Sequence, residues 1–169
     1  ASLNRIKDSL LAGQPIVQII SFEEKRVEGF LKKLGQQTLK NQNYFAWDSR
    51  NGLSRGETPL PDSVLPGRAL DAALACAEPA FFVFKDLTPR LRDSLDLVRQ
   101  VRECYLQFKG SRKFLFLLSP DDSLPASLKK EVDIIHFDLP DYEELDALFN
   151  RFLESLNRAG AQVQLAAEE

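Results

Sequence analysis

The chain has no methionine, one histidine (His136) and two cysteines, Cys76 and Cys104, in 169 residues. With one imidazole, any catalytic pair built on a histidine base must run through His136. That residue sits between Ile135 and Phe137 in an apolar run, so a packing or surface role is expected. The cysteines show no C-x-x-C spacing, which argues against a zinc site or a disulfide framework and for reduced core thiols. Basic residues number 22 against 25 acidic ones, a net charge of −3. No basic excess exists to neutralise nucleic-acid phosphates. No apolar run is long enough to span a bilayer, and no signal peptide opens the chain. The phosphate-loop pattern G-x-x-x-x-G-K-[ST] is also missing. A chain that starts at Ala1 without any methionine is expected to be cut from a longer protein, with activity residing in other parts of it.

What is present is a regular alternation of strand and helix signals. Leu3, Ile6, Leu10 and Leu11 recur at helical spacing, ended by Gly13 and Pro15. Ile16–Ile20 reads as a strand, and a helix with the stripe Val27, Phe30, Leu31 and Leu34 follows it. Tyr44–Trp47 reads as a second strand. Residues 48–67, rich in glycine and proline, read as a long loop. After a short helix over 68–77, Ala80–Phe84 carries the strongest strand signal. Thr88-Pro89 predicts the start of a long helix with Leu91, Leu95, Val98, Tyr105 and Phe108 facing inward. Lys113–Leu118 is a continuous apolar strand, a short helix is expected near 125–131, and Ile134–Phe137 closes the set. The pattern predicts a three-layer α/β fold with about five mostly parallel strands and helices on both faces.

The junction after the first strand holds the most chemistry. Ser21-Phe22-Glu23-Glu24 stands where a phosphate-binding turn needs glycines and a lysine. Ser21 and Glu24 have the S-x-x-E spacing of a capping box, in which side chains occupy the free amides of the helix start. Glu23 and Glu24 add negative charge at the positive end of the helix dipole. A phosphate would meet two carboxylates there. A second box, Asp141 to Glu144, is read ahead of the stripe Leu145, Leu148, Phe149, Phe152 and Leu156, which is most simply a helix packed on the core.

The order of these landmarks resembles an AAA+ ATPase module with a RecA-like core. Pro15–Glu24 resembles its first strand and phosphate-loop position, and Phe81–Asp86 resembles a Walker B strand. Phe114–Ser119 resembles the sensor strand, and the run Phe137–Glu144 resembles the start of a helical lid. More narrowly, Ile20–Arg26, Trp47-Asp48, Asn51-Gly52, Val83–Leu87 and Leu139-Pro140 are similar to the amino-terminal half of a plastid- and cyanobacteria-associated AAA+ family. That family has a degenerate first module followed by a working ATPase module. The resemblance implies the strand order 5-1-4-3-2. It implies a domain over residues 1–157, with 139–157 the start of a truncated lid helix and 158–169 a tail or linker. It also marks departures: Lys85 stands where a magnesium-binding carboxylate belongs, Asp86 takes the position of the base, and Ser119-Pro120 replaces the sensor residue. Losing these parts together should abolish hydrolysis.

The expectation is therefore a domain with no catalytic residues, no bound nucleotide, no metal and no cofactor, serving assembly, regulation or partner recognition. Its partner is expected to be another protein or its own carboxy-terminal ATPase module, with homo-oligomers included and neither nucleic acid nor membrane involved. Lys85 and Asp86 are candidates for a vestigial or repurposed site, and Glu23, Glu24 and Asp86 for a cation site, although capping explains the glutamates more simply. Trp47, Arg50 and Arg55 are candidate interface residues. The expected compartment is the cytoplasm, or a plastid stroma for an organellar protein. Two other readings stay open: a parent protein that hydrolyses ATP in a second module, and a receiver- or flavodoxin-like binding module, for which the strand order 2-1-3-4-5 is the discriminator.

Overall fold

Apolar runs too short to make helices become the strands of one sheet, and the amphipathic segments between them cover its two faces. The strands are β1 (Ile16–Ile20), β2 (Tyr44–Asp48), β3 (Gly52–Arg55), β4 (Thr58–Pro59), β5 (Ala80–Lys85), β6 (Lys113–Ser119) and β7 (Asp133–His136). The helices are α1 (Ser2–Leu11), α2 (Glu24–Leu39), α3 (Pro66–Ala75), α4 (Thr88–Leu91), α5 (Leu95–Phe108) and α6 (Tyr142–Arg158), with a 3-10 turn at Ala126–Leu128. This computed structural model describes residues 2–40, 43–140 and 142–158. The chain divides into two compact units, residues 1–137 and 138–169.

Among the described residues the sheet has seven strands in the order β4-β3-β2-β5-β6-β1-β7. The five expected strands are all parallel neighbours. From the β7 edge they run 5-1-4-3-2 in their own numbering. The receiver or flavodoxin-like alternative, which needs 2-1-3-4-5, is thereby excluded. The extra strands β3 and β4 are antiparallel additions beyond β2, and they correct the expectation of a loop over 48–67. Two side chains fold that segment. The Asp48 carboxylate accepts from the amides of Arg50 (2.9 Å) and Asn51 (2.8 Å), tightening the turn, and Gly52 follows with a positive φ of 76°. A Cβ on Gly52 would lie 2.9 Å from Ser63 Oγ, so glycine is required there twice over. Ser63 then accepts from the Leu53 amide at 2.9 Å and donates to the Leu60 carbonyl at 2.7 Å. Pro59 fits because β4 is an edge strand.

Strand alternation splits the core in two. Phe82, Phe84, Leu115 and Leu117 point to the face covered by α3 and α5, whereas Phe81, Val83, Phe116 and Ile19 point to the face of α1 and α2. Paired residues on neighbouring strands stack their rings: Phe45 on Phe82 at 5.0 Å and Trp47 on Phe84 at 5.4 Å. Such cross-strand pairs fix the register. Central strands buried on both faces need continuous apolar sequence, which is what β5 and β6 have.

The helix after β5 departs from expectation. Thr88-Pro89 starts only the one-turn α4, and the long helix α5 begins after Ser94, whose hydroxyl accepts from the Leu97 amide at 3.2 Å. Leu95, expected inside, is 85% exposed, because a residue at the first helical position after such a cap lies on the rim rather than over the sheet. Leu11, at the end of α1, is exposed for the same terminal reason. At the opposite rim, Lys113 is buried. Its ammonium donates to the carbonyls of Leu74 (3.2 Å) and Cys76 (2.6 Å) and lies 4.4 Å from the Phe108 ring centre. It closes the carboxyl end of α3, where unpaired carbonyls favour a cation.

The second unit holds α6. Its stripe residues Leu145, Phe149 and Phe152 are 52%, 46% and 57% exposed. The capping box Asp141–Glu144 and the side chains of Leu148 and Leu156 lie outside the described residues.

Candidate functional site

Open parallel sheets place their ligand crevices beyond the carboxyl ends of the strands, where the strand order reverses. Here β1 and β6 end side by side, with the Ser21 amide donating to the Ser119 carbonyl at 3.1 Å. The Asp86 amide donates to the Leu118 carbonyl at 2.9 Å, which brings the end of β5 to the same place. Between these ends lies a cleft of about 180 Å³, lined by Ser21, Phe22, Glu24, Asp86, Leu118, Ser119 and Pro120. Gln18, fully buried in β1, donates to the Asp121 carbonyl at 3.2 Å and so holds the segment that follows Pro120. A second hollow, about 220 Å³, lies between Lys32, Gly35 and Leu39 of α2, Tyr44 of β2 and Gly56, away from the strand ends.

The turn out of β1 is filled by its own groups, though not as a capping box. Ser21 Oγ accepts from the Glu23 amide at 2.9 Å, a local serine turn. The residue preceding α2 is Glu23, and no side chain caps that helix start. Glu23 turns aside to Arg26 at 2.7 Å, and the Arg26 guanidinium stands 4.7 Å from the Phe137 ring centre. Glu24 does not reach back to Ser21; it pairs with Lys85 instead. The box fails because the cation at the end of β5 takes the Glu24 carboxylate, an ion pair in which both partners are charged.

Lys85 is the centre of the arrangement. Its Nζ lies 3.0 Å from Glu24 Oε1 and 3.6 Å from Glu28 Oε2, both on α2. Tyr44 of β2 donates its hydroxyl to Glu28 at 3.2 Å, and the Lys32 ammonium stands 5.3 Å from the Tyr44 ring centre. Burial works against the Lys85 ammonium, but the Glu24 hydrogen bond and the charges of Glu28, Glu24 and Asp48 outweigh it and hold its pKa above the ordinary lysine value. Burial, with the Glu28 carboxylate beside it, pushes the Tyr44 phenol far up, so it stays a donor. Asp48 is also somewhat buried, yet its bonds from Asn51 and Arg50 and the Lys85 charge hold it below the usual carboxylate range. One helix and two strands are tied together by charge.

Asp86 is exposed at the end of β5 in a left-handed backbone conformation, φ 54°. Ser119 is buried, and its hydroxyl accepts from the Asp121 amide at 3.1 Å. The structure thus brings Ser21, Glu24 and Asp86 to one cleft, sends Glu23 to Arg26, and turns Lys85 toward α2. Among the described residues no group of three or more His, Cys, Asp or Glu side chains is placed to hold a metal.

Residues 2–137 match the family model of the SpoVK-like AAA ATPase N-terminal domain. The chain belongs to that family. It is also similar to two proteins named "Uncharacterized AAA domain-containing protein ycf46". The one from Trieres chinensis is 27% identical over 151 residues, covering 88% of this chain and 30% of that protein. The one from Guillardia theta is 27% identical over 150 residues, covering 87% and 29%. The chain therefore spans less than a third of the length of these relatives. The match to the SpoVK-like N-terminal domain ends at Phe137, where the first compact unit ends.

Of the interface candidates, Trp47 is corrected: it is fully buried, and its Nε1 donates to the carbonyls of Ser63 (3.0 Å) and Val64 (3.3 Å). Arg50 and Arg55 are exposed, at the β2–β3 turn and the end of β3. Sequence reasoning missed Tyr44 and Glu28, since nothing in their spacing announces that β2 lies beside this face of α2. It also missed Phe22, which is 90% exposed at the cleft. An aromatic directly after a strand and before two glutamates was the available signal.

Proposed function

We propose that this domain is a non-catalytic AAA-type module, used for assembly, regulation or partner recognition within a larger ATP-dependent protein. The observation that supports it most directly is the Lys85–Glu24 pair at 3.0 Å. A nucleotide phosphate at the β1–α2 turn needs free amides and a cation. Lys85 is already engaged by two carboxylates, and the cleft presents Glu24 and Asp86. The cleft of about 180 Å³ is also smaller than the ~300–1,000 Å³ of ordinary small-molecule sites. Charge and volume disfavour a triphosphate together. Calorimetric titration of the 169-residue chain with ATP or ADP and magnesium is expected to show no binding heat. A micromolar affinity would overturn the reading.

Hydrolysis, in this reading, belongs to another module of the parent protein, which carries the AAA name of the longer relatives. In the parent, an alanine in place of the lysine of a downstream G-x-x-x-x-G-K-[ST] motif is expected to abolish ATP turnover. Lys85→Met is expected to leave turnover per folded molecule unchanged at saturating ATP. Among the described residues no helix is long and apolar enough to cross a membrane. Cytoplasm, or the stroma of a plastid, is the compartment this reading assigns.

A further inference from the structure

Six asparagines occur in the chain, and only Asn51 is followed by glycine. An asparagine carboxamide is an electrophile within reach of the next backbone nitrogen, and a Cβ on the next residue ordinarily hinders that approach. Here the fold forbids the Cβ. Gly52 has a positive φ of 76°, and a Cβ there would lie 2.9 Å from Ser63 Oγ and 3.0 Å from the Val64 nitrogen. Asn51 itself is exposed to water. Its Nδ2 donates to both oxygens of Asp48, at 3.2 and 3.0 Å, and its backbone amide donates to Asp48 Oδ1 at 2.8 Å.

We propose that Asn51 is a self-modification site, which reacts with water to give aspartate and isoaspartate and so loosens the turn that starts the edge hairpin. The Gly52 nitrogen gives its proton to hydroxide and bonds to Asn51 Cγ. The Cγ–Nδ2 bond then breaks, and the nitrogen takes a proton from water and leaves as ammonia. Water opens the resulting imide ring at either carbonyl. One opening gives aspartate, and the other routes the backbone through Cγ as isoaspartate. The net change consumes a water and releases an ammonia. Asp48 and Gly52 are paired at the first rung of the β2–β3 ladder, and Asp48 also holds the leaving nitrogen, so the reaction waits on local opening of that rung. The aspartate product sets a second carboxylate where Asp48 had an amide donor, and like charges at this range repel. The isoaspartate product lengthens the turn by one backbone atom. Both products loosen the segment that carries the exposed Arg50 and Arg55. The proposal does not depend on the nucleotide reading, since the turn lies outside the residues that line the cleft.

Timed incubation of the 169-residue chain at mildly alkaline pH, followed by peptide mapping, tests it. Digestion in isotopically heavy water separates conversion during incubation from conversion during handling. Trypsin cuts after Arg50 and Arg55 and frees residues 51–55 as one peptide. That peptide is expected to gain the mass of an amide-to-acid exchange before any peptide bearing the other five asparagines, in two chromatographic forms and at a rate that rises with hydroxide. Conversion no faster than that of the other asparagines overturns the proposal. The chain unfolded in guanidinium chloride is expected to convert severalfold faster than the folded chain, and equal rates overturn the restraint by the ladder. Asn51→Asp is expected to lower the melting temperature by a few degrees, and the swap Asp48→Asn with Asn51→Asp to restore most of the loss. An unchanged Asn51→Asp melt overturns the loosening of the turn. A swap that restores nothing overturns charge repulsion as its cause.

Discussion

Replacing Lys85 with methionine removes one positive charge while keeping most of the side-chain volume, and the cost follows from where its partners lie. An exposed ion pair is worth about 0–1 kcal/mol, and removing one member of a buried pair costs about 3–5 kcal/mol. The Lys85 and Glu28 side chains are 16% and 15% exposed, but Glu24 is 49% exposed. The network falls between those limits. Glu28 keeps the Tyr44 hydroxyl as a donor, which limits the penalty for the carboxylate left behind. We expect Lys85→Met to destabilise the domain by about 2 kcal/mol, and to lower its melting temperature by about 6 °C for a chain of this size. Urea denaturation with the linear extrapolation measures it, and a cycle with Glu28→Gln isolates the coupling. The pH dependence carries a sign. The folded-state pKa of Lys85 lies above 10.5, so its contribution is complete below that value and is lost as pH rises through the folded pKa. A variant within about 0.5 kcal/mol of the unaltered protein would refute the reasoning, because the ion pairs would then be ornaments of the surface.

Two further outcomes follow from individual side chains. Burial pushes the Cys104 thiol from 9.0 up to about 12, so the unfolded chain loses this proton first and stability falls between those values. Cys104→Ala should flatten the early part of that alkaline loss in melts taken from pH 8 to 11, and an unchanged slope would remove the thiol as its source. Asp86 has a left-handed backbone with φ 54°, a conformation that suits glycine, so Asp86→Gly should stabilise the domain by about 0.5–1 kcal/mol in denaturant titrations. A loss of stability would show that the carboxylate makes a contact worth more than the strain.

The five parallel strands were legible because burial on both faces leaves an unbroken apolar signature, as in Phe81–Phe84 and Phe114–Leu118. The edge hairpin was not. Its strands are four and two residues long, and the glycines and prolines that permit its turns look the same as those of an irregular loop. Beside Asp48 and the Ser63 hydroxyl, Trp47 helps to close it by bonding to the Ser63 carbonyl across sixteen positions, a contact no local pattern carries. The same limit explains the cleft. The motif at Ser21–Glu24 is a sound local rule, but Lys85 is distant in sequence and takes Glu24 for itself. Ser94 lost to Thr88-Pro89 in the reading of the long helix because both are good starts, and only the packing of Leu91 against the core shows that the chain needs one separate turn before α5.

The amine of Lys113 is held against two carbonyls and a phenyl ring, where an acylating reagent has no approach. Its proton is also held less tightly than usual while the corner stays closed, since burial lowers the pKa. The side chain is thus a chemical clock for the tail of α3. Cyanate or an activated ester will mark it at the rate at which residues 74–76 lift away, and mass spectrometry of that one peptide will time the fraying of this corner while the rest of the sheet stays shut.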